Sequence, residues 1–199
     1  MKTCGKWYGG AEEAFHVTPD VKVFGKAIGG GFPLAAVGGK ASIMDQVVPG
    51  QIAHAGTFNA NPLSISAGLV TLTKILTRAG VRHAQRIGTD LADGYRDIIA
   101  DHSLPMKVPS GGISGTVHFT RGEVRDWRSF QDVDVGRWWG YNTAMLNRGI
   151  IPMATGPDEQ WTTSVAHTKA DVARHLDAFE EVAESMKHEQ AEMSLVEAI

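Results

Sequence analysis

Alternating apolar and polar residues mark short strands along this chain, and helically spaced apolar residues mark its longer elements. Val21-Lys22-Val23-Phe24 alternates and predicts a strand that Gly25 stops. Leu34 to Val37 predicts a second strand ending at Gly38-Gly39, and Ala41 to Val48 a short helix closed by Pro49-Gly50. Asn61 followed by Pro62 is a helix start, with Asn as N-cap and Pro at the first helical position. Ile65, Leu69, Leu72, Ile75 and Leu76 recur at helical intervals as its apolar stripe, Arg78 falls in its last turn and Gly80 reads as its C-cap. Gly80 is therefore the expected boundary between a first domain, 1–79, and a second, 80–199.

In the second part the spacing predicts a helix over Val81 to Asp101, with Ile87, Leu91, Tyr95 and Ile98 on its buried face and His83 and Arg86 on a solvated one. Ser114 to Phe119 reads as a strand, and Arg121 to Asp134 as a charged loop. Val135 to Asn147 reads as a helix striped by Trp138, Tyr141, Met145 and Leu146 and stopped by Gly149. A short strand is expected at Ile150-Ile151-Pro152, a loop from Met153 to Gln160, and a strand over Trp161 to Val165. Thr168 with Asp171 three residues on is a capping signal for a helix to about Lys187, lined by Val172, Leu176, Phe179 and Val182. Beyond His188 the expectation is a frayed helix. The pattern is α/β.

The chain has 199 residues, enough for one domain or two small ones, and 43% of them are apolar, which suffices for a core. A formal charge of −3 argues against a general nucleic-acid or membrane-surface role. The single cysteine, Cys4, allows no internal disulfide, and no apolar run approaches the roughly 20 residues of a membrane span. The expectation is a soluble cytoplasmic chain. His54, His118 and His167 are too scattered to suggest a metal site. His118 reads as a packed or rim histidine, and the pair Trp138-Trp139 as core packing rather than a stacking platform.

Candidate chemistry concentrates at Lys26. It follows Gly25 at the end of a strand and precedes Gly29-Gly30-Gly31 and Pro33. A lysine in a tight, partly dry pocket loses its charge more readily and becomes a nucleophile toward carbonyls. The plainer alternative is a solvated surface lysine beside a glycine turn. Thr57, after Gly56, offers a hydroxyl and a backbone N–H suited to a phosphate oxygen, or it merely caps a turn.

The stretch FGKAIGGGFPLAAVGG (24–39) followed by AGTFNANP (55–62) resembles the class III pyridoxal-phosphate (PLP) aminotransferases, and within them the glutamate-1-semialdehyde 2,1-aminomutase branch. The resemblance implies a fragment of a fold-type I PLP-dependent transferase, with part of the large domain and a C-terminal α/β small domain. It implies that Lys26 holds PLP as a Schiff base and moves the substrate's proton. It also implies that Gly56 and Thr57 meet a cofactor phosphate across a homodimer interface. The substrate would be a small amino acid or amino aldehyde, with no nucleic acid or membrane partner.

The family's pyridine-pairing Asp, phosphate turn and ring-stacking aromatic would lie before Met1. The 199-residue chain alone is therefore expected to bind PLP weakly and to be nearly inactive. The segment Gly156 to Trp161 has no arginine for a substrate carboxylate, and Glu159 falls where the aminomutase branch carries a glutamate. The GTFNANP wording also occurs in β-amino-acid transaminases, so a β- or ω-amino acid aminotransferase stands as the alternative. A non-catalytic remnant and an unrelated binding module are the other readings.

Overall fold

The structure, a computed structural model, describes residues 8–153 and 156–197, with side chains as far as Lys187. Cys4 lies outside the described residues, as do two positions of the loop expected over Met153 to Gln160. The chain separates into two compact units, Met1–Val81 and Arg82–Ile199.

The first unit contains α1 (Gly10–Phe15), β1 (Val21–Phe24), a 3-10 turn (Lys26–Gly29), β2 (Ala36–Gly39), α2 (Ala41–Met44) and α3 (Pro62–Val70). A π-helical turn, Thr71–Ile75, extends α3. Strands β1 and β2 pair antiparallel, with Val21 opposite Gly39 and Phe24 opposite Ala36. The second strand starts two positions later than its apolar run suggests, because Leu34 packs onto α3 instead of joining the ladder. Helix α2 is shorter than expected, and the chain turns over Asp45 to Gln46 and again at Pro49-Gly50-Gln51.

Helix α3 starts where the sequence requires. The Asn61 side chain accepts from the N–H groups of Leu63 (3.1 Å) and Ser64 (3.2 Å), satisfying two donors that helix geometry leaves unpaired. Its packed face is not the expected stripe. Ile65, Leu69, Leu72 and Ile75 are exposed, while Ser64 and Gly68 are buried. The small residues face the lysine loop because only there can backbone approach backbone. Among the described residues, Ile28 is the one apolar side chain of this unit below a tenth exposed.

Helix α4 runs Arg78–Asp101, so Arg78 and Gly80 open this helix instead of closing the preceding one. The break falls at Leu76-Thr77, and the Gly80 N–H is capped by the Thr77 hydroxyl at 3.0 Å. Beyond α4 the second unit adds β3 (Ser114–Gly115), α5 (Trp127–Phe130), α6 (Val135–Asn147), β4 (Trp161–Thr162) and α7 (Lys169–Glu197). Strands β3 and β4 pair antiparallel, Ser114 with Thr162 and Gly115 with Trp161. The expected strand to Phe119 survives beyond Gly115 only as a bridge between Lys107 and His118. Ile150 to Pro152 forms no strand. The expected loop from Arg121 contains α5, closed by a capping box between Asp126 and Ser129.

The core of the second unit is filled by Tyr95 of α4, Trp138, Tyr141 and Met145 of α6, and Phe179 and Val182 of α7. Each large side chain removed from water contributes about 1.5–3 kcal/mol. Trp138 is fully buried and Trp139 half exposed, so the first is core and the pair is no platform. Thr168 and Asp171 cap α7 reciprocally: the Thr168 N–H and hydroxyl donate to Asp171 Oδ2 at 2.8 Å, and the Asp171 N–H donates to Thr168 Oγ1 at 3.3 Å.

Candidate active site

Lys26 opens the 3-10 turn with φ +53°, a left-handed conformation that a long side chain adopts at a cost of roughly 1–2 kcal/mol. The turn is held by Gly30 N–H donating to the Ala27 carbonyl (3.1 Å) and Phe32 N–H to the Gly29 carbonyl (3.0 Å). Below it, Ile28 and Leu34 sit on Gly68, where a methyl group would lie 2.3 Å from Leu34 Cδ2 and 3.4 Å from the Ile28 carbonyl oxygen. Gly30, at φ +58°, passes Thr71 so closely that a Cβ would meet its Oγ1 at 2.6 Å. Helix α3 and its π-turn therefore clamp the loop that presents Lys26.

The three lysines around the hairpin are not equivalent. Lys22 pairs with Glu12, and Lys40 with Asp20 at 2.5 Å. Lys26 is exposed and its amine has no ion pair or hydrogen bond among the described residues. The dry pocket expected of it is not formed within this unit. What is formed is a strained, clamped position with an uncommitted amine.

Gly56 and Thr57 stand at the turn that leads into α3. The Asn59 N–H closes the turn on the Gly56 carbonyl (3.0 Å), and Asn61 caps the helix. Thr57 is exposed and its hydroxyl neither closes the turn nor caps the helix. One helix carries both candidate elements, the lysine loop against its side and the threonine turn at its start.

Glu159 belongs to the second unit. It is half-buried in a turn closed by its own N–H on the Gly156 carbonyl (3.1 Å). This unit also holds a buried polar chain that the sequence pattern does not mark. The Tyr95 hydroxyl lies 2.5 Å from that of Tyr141 and 2.6 Å from His175 Nε2. Burial pushes both tyrosines well above their ordinary range and lowers His175 to about 4. Tyr95 and Tyr141 were visible as stripe positions, but nothing in the spacing marks His175 as their partner.

Residues 1–183 match the sequence profile of the class-III aminotransferases. The chain belongs to this family. A glutamate-1-semialdehyde 2,1-aminomutase of Desulfitobacterium hafniense (strain Y51) is 40% identical over 181 residues, which is 90% of this chain and 42% of that protein. A solved β-phenylalanine aminotransferase from Variovorax paradoxus shares the fold with a TM-score of 0.83 at 27% identity, over 92% of this chain and 43% of the other. A solved transaminase with PLP bound gives a TM-score of 0.78 at 22% identity, over 94% and 43%. The chain thus spans about two fifths of the length of the relatives it matches and is an α/β portion of the fold-type I transferase fold.

Class-III aminotransferases and the aminomutases related to this chain are PLP-dependent. The residues present suit part of that cofactor. Among the described residues, Lys26 offers an amine that no carboxylate neutralises, and Thr57 offers a hydroxyl that the turn does not use. Among the described residues no group of His, Cys, Asp and Glu is placed to hold a metal ion, and no helix is long and apolar enough to cross a membrane.

Proposed function

We propose that this chain is the lysine-bearing portion of a PLP-dependent aminomutase of the glutamate-1-semialdehyde 2,1-aminomutase type. The observation that carries the reading is the clamped, left-handed Lys26, unpaired among the described residues, in contrast to the carboxylate-bound Lys22 and Lys40. Bound PLP supplies an electron sink for the carbanion formed at the substrate's α-carbon. Lys26 would hold the cofactor through its amine, and as a free amine beside a bound substrate it would take and return the proton at the α-carbon. Thr57 and the Gly56 backbone bind phosphate oxygens, on the cofactor of a partner copy in a homodimer. Glu159 faces substrate and disfavours a second carboxylate there. The amino group moves between neighbouring carbons of glutamate-1-semialdehyde, giving 5-aminolevulinate, in the cytoplasm.

A second reading, an aminotransferase acting on β- or ω-amino acids with a keto acid, is supported by the similarity to the Variovorax enzyme and by the GTFNANP stretch. Borohydride reduction of the PLP-loaded chain followed by peptide mapping tests the lysine. Pyridoxyl on Lys26 is expected, and pyridoxyl on Lys22 or Lys40 overturns the assignment. Assaying a full-length protein that carries this chain separates the two reactions. Isomerisation of the semialdehyde supports the first, and efficient transamination of a β-amino acid without isomerisation selects the second.

A further inference from the structure

The second unit carries an open groove of about 690 Å3 between the C-terminal end of α4 and the segments that follow it, 103–109 and 118–125. Ile99, Leu104 and Met106 give it an apolar floor. Arg96, Lys107, Arg121 and Arg125 line it against one carboxylate, Glu123, an excess of three positive charges on a chain whose formal net charge is −3.

These cations are held in different ways. Arg125 is bound to Glu123, and Arg96 is fixed by Asp93 (2.6 Å) and the Val108 carbonyl (2.8 Å). Lys107 and Arg121 form no salt bridge among the described residues. His118 stands in the wall at 7% exposure, bonded to the Pro157 backbone and packed edge-on against Phe130.

We propose that this groove binds an organic phosphate with a flat apolar body, of nucleoside monophosphate size. A dianion matches Lys107, whose nearest carboxylate influence is Glu123, and Arg121, which forms no salt bridge among the described residues, flanked by two anchored guanidiniums that supply planar donors suited to phosphate oxygens. The apolar floor offers surface to a base or ring that inorganic phosphate cannot use. The chain's negative net charge disfavours a long polyanion and so favours a small ligand over a nucleic acid. All of these residues lie in the second unit, so the proposal does not depend on Lys26 or on the PLP reading.

Calorimetric titration of the 199-residue chain with AMP, adenosine and inorganic phosphate, in separate runs without PLP, tests it. AMP is expected to bind, with adenosine and inorganic phosphate each weaker by about tenfold or more. Lys107→Ala and Arg121→Ala, both at exposed side chains, should each weaken AMP by about tenfold, and Glu123→Gln should tighten it. Lys26→Ala should leave AMP binding unchanged. No binding at millimolar AMP overturns the proposal. So does equal affinity for inorganic phosphate, indifference to the Lys107 and Arg121 changes, or tighter binding of a single-stranded oligonucleotide than of AMP.

Discussion

Gly30 and Thr71 pass each other so closely that a Cβ on the glycine would lie 2.6 Å from the threonine Oγ1. Gly30 also has φ +58°, where an alanine costs roughly 1–2 kcal/mol. Gly30→Ala is therefore expected to lower stability by about 2–3 kcal/mol and to cut the pyridoxyl captured at Lys26. Adding Thr71→Ala removes the clash but not the backbone strain, so the double variant should recover part of the loss and no more. Denaturant titration of the three variants checks this. Additive losses would show that the two residues do not oppose each other.

Lys26 itself is strained in the same sense. Lys26→Gly should be more stable than Lys26→Ala by about 1 kcal/mol, because glycine adopts φ +53° freely and alanine does not. Both variants should lose borohydride-trapped pyridoxyl. Thermal denaturation compares them directly, and an alanine variant at least as stable as the glycine one would argue against a left-handed Lys26.

Local signals made the ends of elements legible in the sequence, while tertiary partners decided what faced where. Asn61-Pro62, Thr168-Asp171 and the span Val135–Asn147 are set by local chemistry, and each stands where the sequence predicts it. The stripe Ile65, Leu69, Leu72 and Ile75 is helical as its spacing predicts, and its side chains are exposed. Periodicity reports a face, and here the face that packs is the one with room for backbone, Ser64 and Gly68. Lys26 is visible in the sequence as a lysine beside glycines, yet among the described residues Glu12 and Asp20 reach Lys22 and Lys40 instead of it. The Asp20–Lys40 pair follows from the hairpin register and the Glu12–Lys22 pair from the placement of α1, neither of which a single residue encodes.

Gly88 lies inside α4, where propensity alone favours alanine by about 1 kcal/mol. A methyl group there would sit 2.1 Å from the Gly112 carbonyl oxygen and 2.9 Å from Thr163 Oγ1. The Thr163 hydroxyl is committed to the Ala84 carbonyl at 2.8 Å, and a backbone carbonyl moves only with its segment. Gly88→Ala is thus expected to destabilise the second unit by about 2 kcal/mol or more. A variant that melts at or above the parent temperature would contradict the close approach.

His175 sets a pH dependence. Burial holds its folded-state pKa at about 4, below the ordinary value of 6.5, so the unfolded chain takes up this proton first as pH falls. Protonation then draws the equilibrium toward unfolding, and the stability present above about pH 6.5 is lost progressively down to about pH 4. At about 1.4 kcal/mol per pKa unit, the loss is on the order of 3 kcal/mol. His118, lowered by burial, and Asp171, lowered mainly by its bonds from Thr168, add slopes of their own with the same sign. His175→Gln keeps a polar partner for the Tyr95 hydroxyl without titrating, so its stability should fall less between pH 6.5 and 4. Parallel curves for parent and variant would remove His175 from the account.

Thr57 separates binding from folding. Its turn is closed by the Gly56 carbonyl and the Asn59 N–H, and the following helix is capped by Asn61, so among the described residues neither the turn nor the helix cap uses the hydroxyl. Thr57→Val should therefore change stability by less than about 0.5 kcal/mol, the usual range for an exposed position. If the hydroxyl donates to a phosphate oxygen, its loss costs about 1.5–3 kcal/mol, or roughly ten- to a hundredfold in PLP affinity. Thr57→Ser keeps the donor and should stay near the parent. Absorbance titration with PLP reads affinity, and denaturation of the same samples reads folding. A valine variant that loses stability but keeps its PLP affinity would return Thr57 to a structural role and leave the phosphate to other groups.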